Sequence, residues 1–237
     1  MNMLKQIKED LEKAGSSEKV KIYSRFFKTG KGQYGEGDVF LGLTVPEQRT
    51  IAKKYSDLQL MDLEKLLASK IHEHRLTALL VLVEKYKRSD NKNKKEIIDF
   101  YLKNTKHINN WDLVDMSAHN ILGDYLLEKD KIILYKLAKS QNLWERRIAI
   151  ISTFEFIRNN KFEDTLKLSE ILLKDKHDLI QKAVGWMLRE LGKKDQRAEE
   201  EFLKKHYKRM PRTMLRYAIE RFSENKRKFY LGKFTAD

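Results

Sequence analysis

RRIAIIST (146–153) is one of five related segments that recur along the chain. The other four are HRLTALLVL from His74, WDLVDMSA from Trp111, QKAVGWML from Gln181 and LRYAIERF from Leu215. Each has apolar residues at the spacing of three and four that is typical of one face of an α-helix. With Arg75, Trp111, Arg147, Lys182 and Arg216 aligned, the separations are 36, 36, 35 and 34 residues. The pattern predicts a helical unit that repeats along most of the chain.

A helix-pair period of this size is typical of tetratricopeptide-like and HEAT-like arrays. The small and aromatic residues of the tetratricopeptide consensus are absent, so HEAT-like repeats are the better interpretation. In such arrays each helix pair buries its apolar face against its neighbours, and the second helices line one concave surface. We therefore expect an all-α, right-handed solenoid (an α–α superhelix) in which residues 1–237 form a single domain.

The composition limits the classes of partner. Lys and Arg number 49 against 35 Asp and Glu, which gives a net charge of +14 among 237 residues. A protein this basic attracts polyanions, of which nucleic acid is the commonest. No apolar run approaches the roughly 20 residues needed to span a bilayer, and the start lacks a signal-peptide pattern. We expect no membrane partner and a cytoplasmic location, associated with the nucleoid when DNA is bound.

Polar breaks predict where the helices end. They lie near Gly15, at residues 89–91, 109–110 and 159–160, near Asp175 and at residues 192–193. Thr44 and Glu47 have the spacing of a capping box at a helix start, and Pro46 between them is tolerated in a first turn. MPRT (210–213) predicts another helix start.

One segment departs from the helical pattern. Residues 29–38 hold four of the ten glycines and lead into Val39 and Phe40. Spaced glycines beside Tyr, Val and Phe predict a short β-hairpin or a glycine-rich finger over residues 29–41. Lys28, Lys31 and Tyr34 would suit a finger that touches DNA; the alternative is a mobile loop without function.

Four of the five aligned positions, Arg75, Arg147, Lys182 and Arg216, carry a positive charge. One cation per repeat would produce a basic groove on the concave face. The alternative is that these side chains simply solvate the helix surfaces.

Asp115 is a candidate functional acid because of its place on the helix. It lies on the apolar stripe of its helix, one turn after Trp111, where an unpaired charge costs several kcal/mol. Arg147 would project one repeat further along, and Trp186 lies beside Lys182 and Arg189 instead of with the core residues of its helix. Asp112, at the start of the same helix, is interpreted as a charge stabilised by the helix dipole.

Four blocks together resemble the DNA alkylation repair family of HEAT-like-repeat DNA glycosylases. They are VFLGLTVPEQR (39–49), NNWDLVDMSA (109–118), NLWERRIAI (142–150) and IQKAVGWMLREL (180–191). The resemblance implies that Trp111, Asp115, Arg147 and Trp186 form the catalytic set around a damaged nucleotide, with Tyr23 approaching the lesion. It also implies hydrolysis of the N-glycosidic bond of a cationic alkylated purine, with no metal or cofactor.

The sequence departs from that family at three places. Thr44 stands where glutamine is usual, Glu155 stands where lysine is usual, and the glycine-rich insertion of residues 30–37 resembles a branch thought to bind branched DNA without excising bases. Two alternatives to a glycosylase therefore remain: a non-catalytic binder of branched or distorted DNA, and a helical scaffold for an acidic protein.

The expected partner is double-stranded or branched DNA, bound by a monomer with no obligate protein partner. We expect ten residues to bind it: Tyr23, Lys28, Lys31, Tyr34, Arg75, Arg146, Lys182, Arg189, Arg212 and Arg216.

Overall fold

The computed structural model describes residues 2–232 of the chain. These residues are 70% helical and contain no sheet, which confirms the all-α helical-repeat prediction. None of the helices among them is long and apolar enough to cross a membrane. The chain divides into two compact units, Met1–Ser117 and Ala118–Asp237. The single domain, the handedness of the superhelix and its concave face stay predictions.

The first unit is built around one buried helix, α5. The unit's helices are α1 (Met3–Lys13), α2 (Ser17–Phe26), α3 (Val45–Lys54), α4 (Leu60–Leu67), α5 (His72–Arg88), α6 (Asn91–Lys103) and α7 (Trp111–Ala118), with a 3₁₀ turn at Thr105–His107. Helices α3 and α4 pack against α5, whose side chains are buried along most of its length. Burial on all sides explains why α5 reads as a nearly continuous apolar run.

The second unit is centred on α10 and α12. It contains a π-helical turn (His119–Gly123), α8 (Asp124–Leu126), α9 (Ile132–Leu137), α10 (Leu143–Arg158), α11 (Glu163–Ile171), α12 (Asp178–Gly192), α13 (Gln196–His206), α14 (Arg212–Ala218), a 3₁₀ turn (Ile219–Arg221) and α15 (Glu224–Tyr230). Core residues such as Ile148, Ile151, Val184 and Met187 are fully buried. The π-helical turn was not predicted.

The helix boundaries confirm the predicted breaks. The capping box is also present: the backbone N–H of Thr44 donates to Oε2 of Glu47 at 2.6 Å. Pro46 lies in the first turn of α3, where its missing N–H removes no helical hydrogen bond.

A recurring turn before the central helices shows the true repeat register. The Nη1 atoms of Arg75 and Arg146 each donate to the carbonyl of a serine six residues upstream, Ser69 and Ser140, at 2.9 Å. Gln181 makes the same contact with the carbonyl of Asp175 at 2.9 Å. The equivalent positions are therefore Arg75, Arg146 and Gln181. The alignment of Arg75 with Arg147 and Lys182 is wrong by one residue, because apolar spacing alone does not distinguish adjacent registers.

Of the two alternatives predicted for residues 29–41, a β-hairpin or a glycine-rich finger, the structure excludes the hairpin. The segment forms successive turns, and its one strand-like feature within the described chain is a bridge between Val39 and Ile71. Side chains cap the backbone locally: Gln33 accepts from the N–H of Gly30 at 3.0 Å, and Glu36 accepts from that of Gly32 at 2.7 Å. These local bonds compete with the cross-strand bonds that a hairpin needs. The segment is a glycine-rich loop, here called the glycine loop (residues 28–38).

Candidate functional site

A buried charge cluster joins three segments of the first unit. His72 lies between two carboxylates, with Nδ1 at 3.2 Å from Asp38 and Nε2 at 2.8 Å from Asp112. Arg75 donates to the other oxygen of Asp38 at 2.6 Å, and the amide of Asn110 donates to Asp38 at 3.2 Å. Asp38 ends the glycine loop, His72 and Arg75 begin α5, and Asp112 begins α7. The cluster therefore fixes both the loop and the start of α7 to α5.

The cluster holds His72 in its protonated form. Burial lowers the pKa of His72, but the charge and hydrogen bond of Asp112 and the hydrogen bond of Asp38 outweigh it and raise the pKa to about 9. Burial raises the pKa of Asp38, and its bonds to His72 and Arg75 outweigh this effect, so the pKa falls below its usual value. Two carboxylates, an imidazolium and a guanidinium balance in charge, as burial requires.

Aromatic rings stack around this cluster. Phe27 and Phe40 each lie 4.8 Å from the His72 ring, and Trp111 stacks on Phe27 at 5.4 Å. Phe26 meets the edge of Trp111 at 5.7 Å between ring centroids. Together with Tyr23 and Met116, these rings line an open pocket of about 200 Å³. We call it the aromatic pocket.

Trp111 and Asp115 lie together on α7, one helical turn apart and both half-buried. The start of this helix is held by Asn110, whose Oδ1 accepts from the Trp111 N–H at 2.8 Å, and by Asp112, which accepts from the Leu113 N–H at 2.9 Å. The Trp111 ring is braced by Phe26 and Phe27. Asp115 is therefore carried on a helix whose first turn has little freedom to move.

Arg147 and Trp186 belong to the second unit, so the predicted catalytic set is not contained within one unit. Arg147 is only 5% exposed and donates to the carbonyl of Leu179 at 2.5 Å. Trp186 is half-buried; its Nε1 donates to Glu190 at 3.1 Å and its ring lies 5.9 Å from Phe154. The prediction that Trp186 lies off the buried core face of α12 is confirmed.

The predicted DNA-binding residues separate into accessible and engaged groups. Lys28, Lys31, Arg212 and Arg216 are exposed. Tyr23, Tyr34, Arg146, Lys182 and Arg189 are half-buried. Arg146 is bonded to Asp175 at 2.7 Å, Lys182 to Asp178 at 2.6 Å, and Arg189 to Glu190 and Glu220.

The prediction that Arg75 binds DNA is wrong. Its side chain is 3% exposed, and its two terminal nitrogens donate to Asp38 and to the carbonyl of Ser69. The predicted line of one accessible cation per repeat is also wrong, because Arg147 is buried as well. These arginines hold turns and helices together inside the units.

Sequence reasoning missed His72 and Asp38, and it assigned Asp112 only a role at the helix terminus. His72 was visible as a histidine in the first turn of a helix, but its partners lie 34 and 40 residues away in sequence. Phe26, Phe27 and Phe40 were also missed as a ring cluster. Within residues 2–232, no group of three or more His, Asp or Glu side chains is arranged to hold a metal ion.

The fold and the residues described above define a helical-repeat protein with an aromatic pocket and an acid-bearing helix beside it. Residues 7–222 match the family of DNA alkylation repair enzymes, and the chain belongs to that family, whose function is DNA repair. A solved structure described as a predicted DNA alkylation repair enzyme from Enterococcus faecalis aligns with a TM-score of 0.70 and 19% identity. The alignment covers 89% of this chain and 97% of that one, and it shows the shared fold. The search of curated proteins found no significant match.

Proposed function

We propose that this protein is a monofunctional DNA glycosylase that hydrolyses the N-glycosidic bond of cationic alkylated purines. The observation that supports this most strongly is the Trp111–Asp115 pair on α7, whose first turn is held by Asn110 and by the buried His72–Asp112 bond. A carboxylate one helical turn from an electron-rich ring, on a helix whose start is held in place, suits a reaction in which positive charge develops on a sugar.

Asp115 is assigned two roles: it stabilises positive charge on the sugar, and it acts as a general base toward water. As the C1′–N bond breaks, its electron pair moves to the cationic base, which leaves as a neutral molecule. Water forms the new bond to C1′, and its proton passes to solvent through the Asp115 carboxylate. The carboxylate also stabilises the oxocarbenium-like sugar, and preorganised groups of this kind are typically worth about 3 kcal/mol.

The test is release of modified bases from methylated duplex DNA by the wild type and Asp115→Asn. We expect release by the variant to fall at least about a hundredfold, with DNA affinity nearly unchanged. The matched control is Asp99→Asn, which removes the same charge from an exposed position on α6 in the same unit. Equal rates for the Asp115→Asn and Asp99→Asn proteins would refute the role of Asp115.

A second candidate is a protein that binds branched or distorted DNA without excising bases. The burial of Arg147 against the Leu179 carbonyl favours it, because a guanidinium held there contacts protein and not DNA. The exposed Lys28 and Lys31 of the glycine loop suit backbone contacts. No base release by the wild type, together with tight binding to branched DNA, would favour this candidate over the glycosylase.

A further inference from the structure

Helix α2 carries an apolar ridge that is largely exposed to solvent. Ile22 and Phe26 are 58% and 59% exposed, and they are four residues apart, so they lie on one face of the helix. No residue of α2 is fully buried. Phe26 is partly covered, because its ring contacts Trp111 and Phe27, but most of its side chain is exposed to solvent.

Exposed cations flank this ridge along the chain. On α2, Lys21 and Arg25 are exposed on one side of the Ile22–Phe26 face, and the exposed Lys28 and Lys31 follow in the glycine loop. Residues 17–37 contain five Lys or Arg against two Glu. The exposed Arg49 lies 3.3 Å from the sulfur of Met116, a residue that lines the aromatic pocket. An exposed ring and an exposed isoleucine bordered by cations fit a nucleic-acid strand better than a protein or an uncharged ligand.

Four polar residues that line the aromatic pocket are already engaged within the protein. Glu73 accepts from the backbone N–H groups of Leu41, Gly42 and Leu43, at 2.9, 2.8 and 3.2 Å. Gln48 bonds to the Leu43 carbonyl and to Thr77, and His72 and Asp112 bond to each other. These four residues are therefore not available to read a base, and the pocket presents aromatic surface together with the Tyr23 hydroxyl and the Trp111 indole N–H.

We propose that Phe26 and the aromatic pocket bind one unstacked nucleobase of a distorted DNA duplex by stacking. The pocket of about 200 Å³ is comparable to a cavity of roughly 150 Å³ that accepts benzene. Ile22 packs against the neighbouring base step while the surrounding cations hold the backbone. This inference rests on the proposed DNA binding, and it names the DNA structure that the first unit selects.

The test uses two duplexes of the same sequence, one fully paired and one with a single bulged 2-aminopurine. We expect the wild type to bind the bulged duplex more tightly and to change the 2-aminopurine fluorescence. Phe26→Ala should lose about five- to a hundredfold of affinity for the bulged duplex and little for the paired one. Phe229→Ala is the matched control, since Phe229 is 56% exposed and lies in the second unit.

Two further variants separate stacking from a general loss of structure. Phe26→Tyr keeps the ring and should retain the preference, whereas Phe26→Leu keeps apolar bulk without the ring and should lose it. The proposal would be overturned if the wild type, Phe26→Ala and Phe229→Ala proteins all preferred the bulged duplex over the paired duplex by the same factor. That result would leave DNA binding itself intact. A wild type that binds neither duplex would overturn the proposed function, and the inference with it.

Discussion

His72 donates to Asp38 on one side and to Asp112 on the other, and these acids belong to the glycine loop and to α7. Arg75 donates to the other oxygen of Asp38. The amide of Asn110 completes the surroundings without titrating. The proton on His72 is therefore the component of this cluster that a change toward alkaline pH removes.

The first prediction at the residue scale concerns pH. The pKa of His72 is raised from 6.5 to about 9 on folding, so its stabilising contribution is fully present below about pH 6.5 and is lost as the pH rises through 9. The contribution is on the order of 3 kcal/mol. Thermal unfolding of the wild type should show a falling midpoint over this range. His72→Gln should unfold at a lower temperature at pH 6.5 and depend much less on pH.

His107 supplies the control for this experiment. It is half-buried in the same unit, and its pKa is lowered by burial and by the charges of Lys106 and Arg75. It therefore titrates below the pH range of interest, and His107→Gln should retain the alkaline loss of the wild type. A His72→Gln protein whose midpoint falls with pH as steeply as that of the wild type would contradict the assignment.

At the element scale, helix packing depends on residues whose importance the periodicity does not show. Gly185 lies inside α12, where sequence rules count glycine only as a weak helix former. In the structure a Cβ at this position would clash with the Met214 carbonyl and the Cβ of Tyr217, both on α14. The glycine therefore sets how closely α12 and α14 approach.

We expect Gly185→Ala to destabilise the second unit by about 1–3 kcal/mol, even though alanine favours the helix, because both obstructing atoms belong to a packed neighbouring helix. Gly30→Ala is the control, since the atoms nearest its added Cβ belong to the flexible side chain of Gln33. The stabilities of the two variants and the wild type would be compared by their unfolding midpoints, measured by circular dichroism. A Gly185→Ala protein as stable as the wild type would show that α14 moves aside at little cost.

Features that depend on residues close together in the chain could be predicted from the sequence. Helix limits followed from local signals such as the Thr44–Glu47 capping box, because caps and breaks involve residues near one another in the chain. The hairpin prediction failed because side chains such as Gln33 and Glu36 satisfy the loop backbone. The Asp38–His72–Asp112 cluster was out of reach, since its members are brought together only by the packing of separate elements. The Trp111–Asp115 pair needed only helical spacing and was therefore predictable.

At the scale of the whole molecule, the net charge of +14 is the property most relevant to DNA. Not every cation contributes to DNA binding, because Arg75 and Arg147 are buried against other residues of the same chain. The exposed Arg212 and Arg216 lie four residues apart on α14 and are the predicted contacts that remain accessible in the second unit. DNA affinity should therefore depend on a limited number of surface cations and on salt.

A protein that neutralises about six phosphates loses roughly a thousandfold in affinity between 50 and 200 mM salt, and we expect a loss of this order. Replacing both Arg212 and Arg216 with Gln should reduce the slope of log affinity against log salt by about two, because each removes about one phosphate contact. Lys167→Gln, with Lys167 paired to Glu163 on α11, should leave the slope unchanged. A slope that responds equally to all three positions would mean that affinity follows net charge alone. A slope that responds only to the two arginines would place α14 against the DNA backbone, and it would do so whether or not the protein also excises a base.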